Sequence, residues 1–205
     1  SRGNKRLLVF HGNAGYALDR LYFRDGFEAM DDGWEVLLFE YPGYGARAGN
    51  PSAETIRQAA SAALEALTGN DSSPLYLLGE SLGSGVAAFL AGAYPDRVAG
   101  LLLITAFSSL ADVAATHYPI LPVRTLLREE NFDSVAALAN YRGPVAFLLA
   151  GRDEIVPLAS GQALYEAYSG PRWLRVEPRA GHNSLPYHPR EAWWREAADF
   201  LMAGD

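Results

Sequence analysis

The sequence contains no cysteine. A disulfide framework, a thiolate nucleophile and every zinc site built on sulfur are therefore excluded. Histidine is also scarce, with four in 205 residues, and no two histidines stand at helical or strand spacing beside a carboxylate. We therefore expect no bound metal ion. The absence of thiols leaves the redox compartment undecided.

An excess of positive charge and long hydrophobic runs are also absent. The 17 basic and 24 acidic residues give a net charge of −7, and no run of lysine and arginine interrupts this balance, so nucleic acid is not an expected partner. No apolar stretch approaches the roughly 20 residues of a membrane-spanning helix. We expect a soluble, cytoplasmic chain of unassigned oligomeric state. Because a buried-strand pattern begins so soon after Ser1, the start is typical of a trimmed protein, and a preceding anchor or signal stays open.

Short apolar runs alternate with amphipathic stretches along the whole chain. This alternation is typical of a parallel sheet covered by helices on both faces, and the length suits one domain, residues 1–205. The predicted strands are Leu7–Phe10, Glu35–Phe39, Leu75–Leu78, Gly100–Ile104, Val145–Ala150 and Trp173–Val176. The predicted helices are Ser52–Thr68, Leu82–Ala93, Pro157–Tyr168 and Pro189–Met202.

One interval, residues 107–141, breaks this rhythm. It contains Pro119 and Pro122 within an apolar cluster, followed by a charged stretch, Arg124–Glu130. We expect a short cap insertion over a site; the alternative is an ordinary crossover helix with a kinked entry.

The segment Gly79-Glu-Ser81-Leu-Gly83 lies between a predicted strand and a predicted helix. A serine on such a sharp turn projects its hydroxyl beyond the sheet edge, and small neighbours let strand and helix approach closely. The motif alone is weak, because it also occurs by chance as a glycine-rich turn. Its position between two apolar elements makes Ser81 the candidate nucleophile.

A serine hydroxyl needs a base, and the base needs an orienting carboxylate. His182 follows the last predicted strand, and Asp153 follows the strand Val145–Ala150, so all three candidates stand where strands end. In a parallel sheet that edge is the usual ligand site. Alternatives remain: His188 as the base, Glu154 or Asp112 as the acid, and a purely structural, turn-capping role for Asp153.

Two further loops follow strands on this edge. In His11-Gly-Asn13-Ala-Gly15 the backbone N–H of Asn13, together with that of Leu82, is a candidate oxyanion donor, and His11 is expected to brace the loop. The loop Tyr41-Pro-Gly-Tyr44-Gly45 either lines a pocket or packs its own turn. Tyr44, with His117 and Tyr118 of the interval 107–141, forms the tentative substrate pocket.

These motifs, together with Tyr118-Pro-Ile-Leu-Pro-Val-Arg124, Gly151-Arg-Asp-Glu-Ile-Val-Pro157 and Gly181-His-Asn183, resemble the α/β-hydrolase superfamily, and in particular its Bem-type branch of small serine hydrolases, which includes protein depalmitoylases. The resemblance implies a triad of Ser81, Asp153 and His182, oxyanion donors at Asn13 and Leu82, and no cofactor. It also implies two strands before Leu7, and often a membrane anchor, and we expect neither within residues 1–205.

The leading hypothesis is hydrolysis of a carboxylic ester or thioester through an acyl-enzyme, with a small-molecule or acylated substrate. Peptidase or amidase activity with the same triad is an alternative. A binding or signalling protein on a retired hydrolase scaffold is another, because fold alone does not determine function.

Overall fold

The computed structural model describes residues 5–30, 33–69, 72–118 and 130–203. Within these ranges six strands form one sheet: β1 (Lys5–Phe10), β2 (Trp34–Phe39), β3 (Leu75–Glu80), β4 (Gly100–Ile104), β5 (Val145–Ala150) and β6 (Arg172–Glu177). The strand order is β2-β1-β3-β4-β5-β6, and every pairing is parallel. All six predicted strands are confirmed.

The same ranges contain seven α-helices: α1 (Leu21–Glu28), α2 (Ala53–Thr68), α3 (Leu82–Ala93), α4 (Leu110–His117), α5 (Ser134–Leu138), α6 (Leu158–Ala167) and α7 (Ala192–Met202). Short 3₁₀ helices cover Ala17–Arg20 and Pro95–Arg97. None of the described helices is both long and apolar enough to span a bilayer.

Alternation along the strands divides the core into two layers, because successive side chains point to opposite sheet faces. In β1, Leu8 and Phe10 belong to the core layer that includes residues of α2, α3 and α6, whereas Leu7 and Val9 belong to the layer that includes residues of α1 and α7. Helices therefore cover both faces, as predicted, and the strand ends with their loops are left to form a site.

One helix prediction needs correction, and one helix was missed. The last helix begins at Ala192, not at Pro189, because residues 189–191 form a turn whose His188 carbonyl accepts hydrogen bonds from Glu191 N–H and the Trp194 indole. The helix α1 was not predicted. Its only buried residues are Phe23, Gly26 and Phe27, a stripe too short to stand out in the sequence.

The interval 107–141 is described only at its two ends, since residues 119–129 lie outside the described ranges. Those eleven residues hold Pro119, Pro122 and most of the charged stretch, so the cap prediction stays a prediction. Of the described parts, Phe107, Phe132 and Leu138 belong to the core layer around α3. An antiparallel bridge between Ser109 and Asp133 joins the two ends.

The contact between α3 and β1 leaves no room for a side chain at Gly83. A methyl group there would lie 2.0 Å from the Phe10 carbonyl oxygen, a backbone atom that cannot move aside without distorting the sheet. We expect Gly83→Ala to lower the free energy of unfolding by about 3 kcal/mol or more, at the upper end of overpacking effects. Urea unfolding followed by circular dichroism measures this change.

Gly69→Ala is the matched control, because Gly69 ends α2 with an ordinary helical φ of −69°. We expect it to change the free energy of unfolding by less than about 1 kcal/mol. Equal urea midpoints for the two variants would contradict the packing argument.

Candidate active site

Ser81 occupies a strained turn between β3 and α3. Its φ of 52° and ψ of −117° lie in a region that side-chain-bearing residues rarely adopt. The Ser81 N–H donates to the Ile104 carbonyl at 2.9 Å, and the Ser81 carbonyl accepts from Ser84 N–H at 2.8 Å. These backbone hydrogen bonds keep Ser81 in its strained conformation. Strained backbone conformations of this kind cluster at functional sites.

Two glycines permit this turn. A methyl group at Gly79 would lie 2.3 Å from the Gly83 carbonyl oxygen, so the strand and the first turn of α3 could not meet if residue 79 had a side chain. The first N–H groups of any helix lack intrahelical acceptors, and that of Leu82 is the first in α3. The helix also directs the positive end of its dipole toward Ser81.

The imidazole of His182 lies beside Ser81, although 101 residues separate them in the chain. His182 Nε2 is 3.0 Å from Ser81 Oγ, a hydrogen-bonding distance. The His182 side chain is only 9% exposed. This geometry allows Ser81 to donate its hydroxyl proton to the imidazole.

The second imidazole nitrogen faces Asp153. His182 Nδ1 is 2.8 Å from Asp153 Oδ2 and 3.0 Å from Oδ1, and the carboxylate is 1% exposed. Oδ1 also accepts the N–H groups of Ile155 and Val156 at 2.9 and 2.7 Å. Asp153 therefore caps its own turn and holds the imidazole, so the turn-capping role weighed as an alternative exists together with the contact to His182.

The other candidates for base and acid have different surroundings. His188 Nδ1 accepts the Arg190 N–H, and its carbonyl bonds the indole of Trp194, as suits a residue of the turn before α7. The Glu154 side chain is exposed, and Asp112 lies in the first turn of α4, where its N–H bonds Ser109.

The loop with His182 is fastened to α7. The indole of Trp193 donates to the Pro186 carbonyl at 2.8 Å, and that of Trp194 donates to the His188 carbonyl at 3.0 Å. Both indoles are buried and stack with centroids 3.7 Å apart. The stretch that follows His182 is therefore hydrogen-bonded to two buried, stacked indoles.

The loop after β1 approaches Ser81 from the other side. A methyl group at Gly12 would lie 3.5 Å from Ser81 Cβ, so the Asn13 backbone is one residue from that contact. The Asn13 side chain accepts the Tyr44 hydroxyl at 2.6 Å. His11 is buried, its Nε2 2.9 Å from Glu40 Oε1, which suits the predicted bracing role.

Of the three residues of the tentative pocket, Tyr44 and His117 contact loops that adjoin the site. Tyr44 contacts Asn13, as above. His117 Nε2 is 2.7 Å from the Ile155 carbonyl, which joins the end of α4 to the turn that Asp153 caps. Tyr118 is 59% exposed.

Sequence analysis missed the charged residues that contact the loop after β1. Glu80, adjacent to Ser81, pairs with Arg20 at 2.7 Å and accepts the Tyr22 hydroxyl at 3.0 Å. Burial, with Glu80 close by, raises the pKa of the Tyr22 phenol well above its usual range, so Tyr22 stays a neutral donor. The glutamate within the Gly-x-Ser-x-Gly motif was the available signal, since a charged residue ending a buried strand requires a partner.

Across the part of the chain that the structure describes, no group of three or more histidine, aspartate or glutamate side chains is placed to hold a metal ion. The arrangement of Ser81, His182 and Asp153 can move a proton from a hydroxyl to an imidazole whose tautomer is held by a carboxylate.

Comparison with known proteins agrees with this architecture. Residues 5–131, well over half of the chain, match the profile described as alpha/beta hydrolase fold, so the chain belongs to the α/β-hydrolase family. An uncharacterized protein of Mycobacterium tuberculosis is 39% identical over 180 residues, covering 86% of this chain and 62% of that protein. This chain thus spans less than two thirds of that relative.

The protein bem46 of Schizosaccharomyces pombe is 29% identical over 206 residues, covering 97% of this chain and 68% of that protein. The resemblance to the Bem-type branch is thereby confirmed. Among solved structures, Est1E from Butyrivibrio proteoclasticus, with ferulic acid bound, superposes with a TM-score of 0.78 at 16% identity, covering 100% of this chain and 90% of Est1E. That likeness concerns the fold alone.

Proposed function

We propose that this chain is a serine hydrolase that cleaves a carboxylic ester or thioester through an acyl-enzyme. The observation that supports it best is the unbroken series of contacts from Ser81 Oγ through His182 to Asp153, at 3.0 and 2.8 Å. A non-catalytic protein does not require a buried carboxylate, an imidazole and a strained serine in this alignment. This favours an enzyme over a non-catalytic binding protein.

The proposed reaction has two halves. Ser81 Oγ attacks the substrate carbonyl carbon while its proton moves to His182 Nε2, and the tetrahedral intermediate collapses as the same proton passes to the leaving alcohol or thiol. Water then attacks the acyl-serine, again giving its proton to His182, which returns it to Ser81 as the acid departs. Asp153 keeps the Nδ1 proton in place and stabilises the imidazolium.

The negative oxygen of each tetrahedral intermediate needs hydrogen-bond donors. We assign this role to the backbone N–H groups of Asn13 and Leu82, one on each side of Ser81. Gly12 lies against Ser81, and its own N–H is directed to Glu80 at 3.3 Å, so Asn13 is the next amide of the loop. Removing one such donor costs roughly 10²–10³ in kcat in related sites.

The substrate is proposed to be a small molecule with an apolar acyl group. Tyr44 and His117 would line its path, since they contact the Asn13 loop and the Asp153 turn, and Tyr118 would join them as the residue after His117. Est1E, whose structure holds ferulic acid, has the same fold and is consistent with this class. The interval 107–141 is proposed as a short cap over this path.

Ser81→Ala removes the nucleophile and leaves the small side chain that the turn requires. We expect kcat for p-nitrophenyl esters to fall by roughly 10³–10⁶-fold, since triad members act as a unit. Labelling of the wild type by a fluorophosphonate probe, and its loss in the variant, gives an independent measurement. Unchanged ester hydrolysis in Ser81→Ala would refute the assignment, and a p-nitroanilide series tests the amidase alternative.

Asp153→Asn tests the orienting carboxylate. The amide oxygen can still accept the N–H groups of Ile155 and Val156, so the turn should fold, but the amide no longer stabilises the imidazolium. We expect kcat to fall about 10⁴-fold. The exposed neighbour provides the control, with Glu154→Gln expected to change kcat by no more than about twofold. A reversed ranking would make Glu154 the acid.

The oxyanion donors can be located by nuclear magnetic resonance of the ¹⁵N-labelled protein. On formation of a phosphonate adduct at Ser81, we expect the amide resonances of Asn13 and Leu82 to move downfield, because each N–H gains a charge-assisted acceptor. The Gly12 amide should shift less, since it already donates to Glu80. Downfield shifts confined to other amides would show that different donors serve this role.

A further inference from the structure

Glu80 has no part in the proton relay although it is adjacent to Ser81. It is the last residue of β3, and its side chain points to the sheet face that α1 covers, where it is 13% exposed. Placing a carboxylate there is costly unless it is paired and hydrogen-bonded. The partners of the Glu80 carboxylate therefore indicate its structural role.

The two oxygens of Glu80 have different partners. Oε2 accepts the Gly12 N–H at 3.3 Å and Arg20 Nε at 2.7 Å, whereas Oε1 accepts the Tyr22 hydroxyl. Arg20 in turn donates Nη2 to the Ala14 carbonyl at 3.1 Å. The ion pair thus bonds the loop on both sides of Asn13: Glu80 accepts from Gly12, and Arg20 donates to Ala14.

A second glutamate holds the same loop from the opposite direction. Glu40, directly after β2, contacts His11 Nε2 at 2.9 Å and accepts the Ala17 N–H at 3.1 Å. The contacts of Glu40 are with His11 and Ala17, outside residues 12–14, whereas those of the Glu80–Arg20 pair lie directly before and after Asn13.

The pair also has an electrostatic effect. An uncompensated carboxylate one residue from Ser81 would repel an oxyanion, and Arg20 cancels that charge. Burial disfavours the charged guanidinium, but the charge and hydrogen bond of Glu80, together with Tyr22 and Asp19, outweigh it, and the pKa of Arg20 is raised above its ordinary value.

We infer that Glu80 and Arg20 are positioning residues, which fix the Gly12–Ala14 loop so that the Asn13 N–H is presented to the reacting carbonyl oxygen. This inference rests on the proposed hydrolase function. Neither side chain is assigned a contact with substrate. Their effect is on the geometry of the donor, which counts most in the transition state.

The test compares Glu80→Gln and Arg20→Met with the wild type on p-nitrophenyl butyrate. We expect kcat to fall roughly 10- to 100-fold, as for a displaced donor, with KM changed by less than about threefold. Inhibition by phenylboronic acid, which forms a tetrahedral adduct with the serine hydroxyl, should weaken in parallel with kcat. The double variant should lose less than the product of the single losses, because the two residues act as a pair.

Glu177→Gln is the matched control. Glu177 also ends a parallel strand and pairs with an arginine, Arg175, at 2.6 Å, but neither residue contacts the loop after β1. We expect its kcat and phenylboronic acid affinity to match the wild type. Hydrogen exchange of the Gly12 amide adds a readout without turnover, and it should accelerate in Glu80→Gln and stay unchanged in Glu177→Gln.

If Glu80→Gln fails to fold, as judged by near-ultraviolet circular dichroism, Arg20→Lys replaces it. Lysine keeps the charge but cannot reach Glu80 and Ala14 together, so kcat should still fall. Wild-type kcat in Glu80→Gln or Arg20→Lys, or an equal loss in Glu177→Gln, overturns the inference. A wild type that neither hydrolyses the ester nor reacts with fluorophosphonate instead refutes the proposed function, and the inference fails with it.

Discussion

Helix α3 packs directly against β1 and β3, and this contact determines the geometry around Ser81. Without side chains at Gly79 and Gly83, the helix begins almost in contact with the sheet. The chain must then turn within one residue, which accounts for the positive φ of Ser81. The same contact brings the β1 loop to the serine, so one packing event positions both the hydroxyl and the candidate oxyanion donors.

Much of this could be predicted from the sequence because parallel strands buried on both faces appear as continuous apolar runs. Since such strands all end at one edge, Ser81, Asp153 and His182 were expected to meet, and the structure brings them within hydrogen-bonding distance. Their catalytic roles remain proposals for the experiments above.

What could not be predicted depends on tertiary contacts. Helix α1 contains Gly26, which weakens any helix signal, yet a methyl group at that position would lie 2.5 Å from the Trp194 ring. The glycine is a packing requirement imposed by a residue far along the chain. The pairing of Glu80 with Arg20, 60 residues apart, likewise follows from the fold and leaves no periodic trace.

The anchoring of the histidine loop by Trp193 and Trp194 gives the final helix an importance that its distance from Ser81 along the chain conceals. A truncation that removed α7 would delete none of the three relay residues, yet it would release the carbonyls of Pro186 and His188 and uncover the aromatic surface beneath them. The serine and the aspartate would remain on their strand ends while the imidazole lost its support. In this architecture α7 therefore anchors the loop that carries the imidazole.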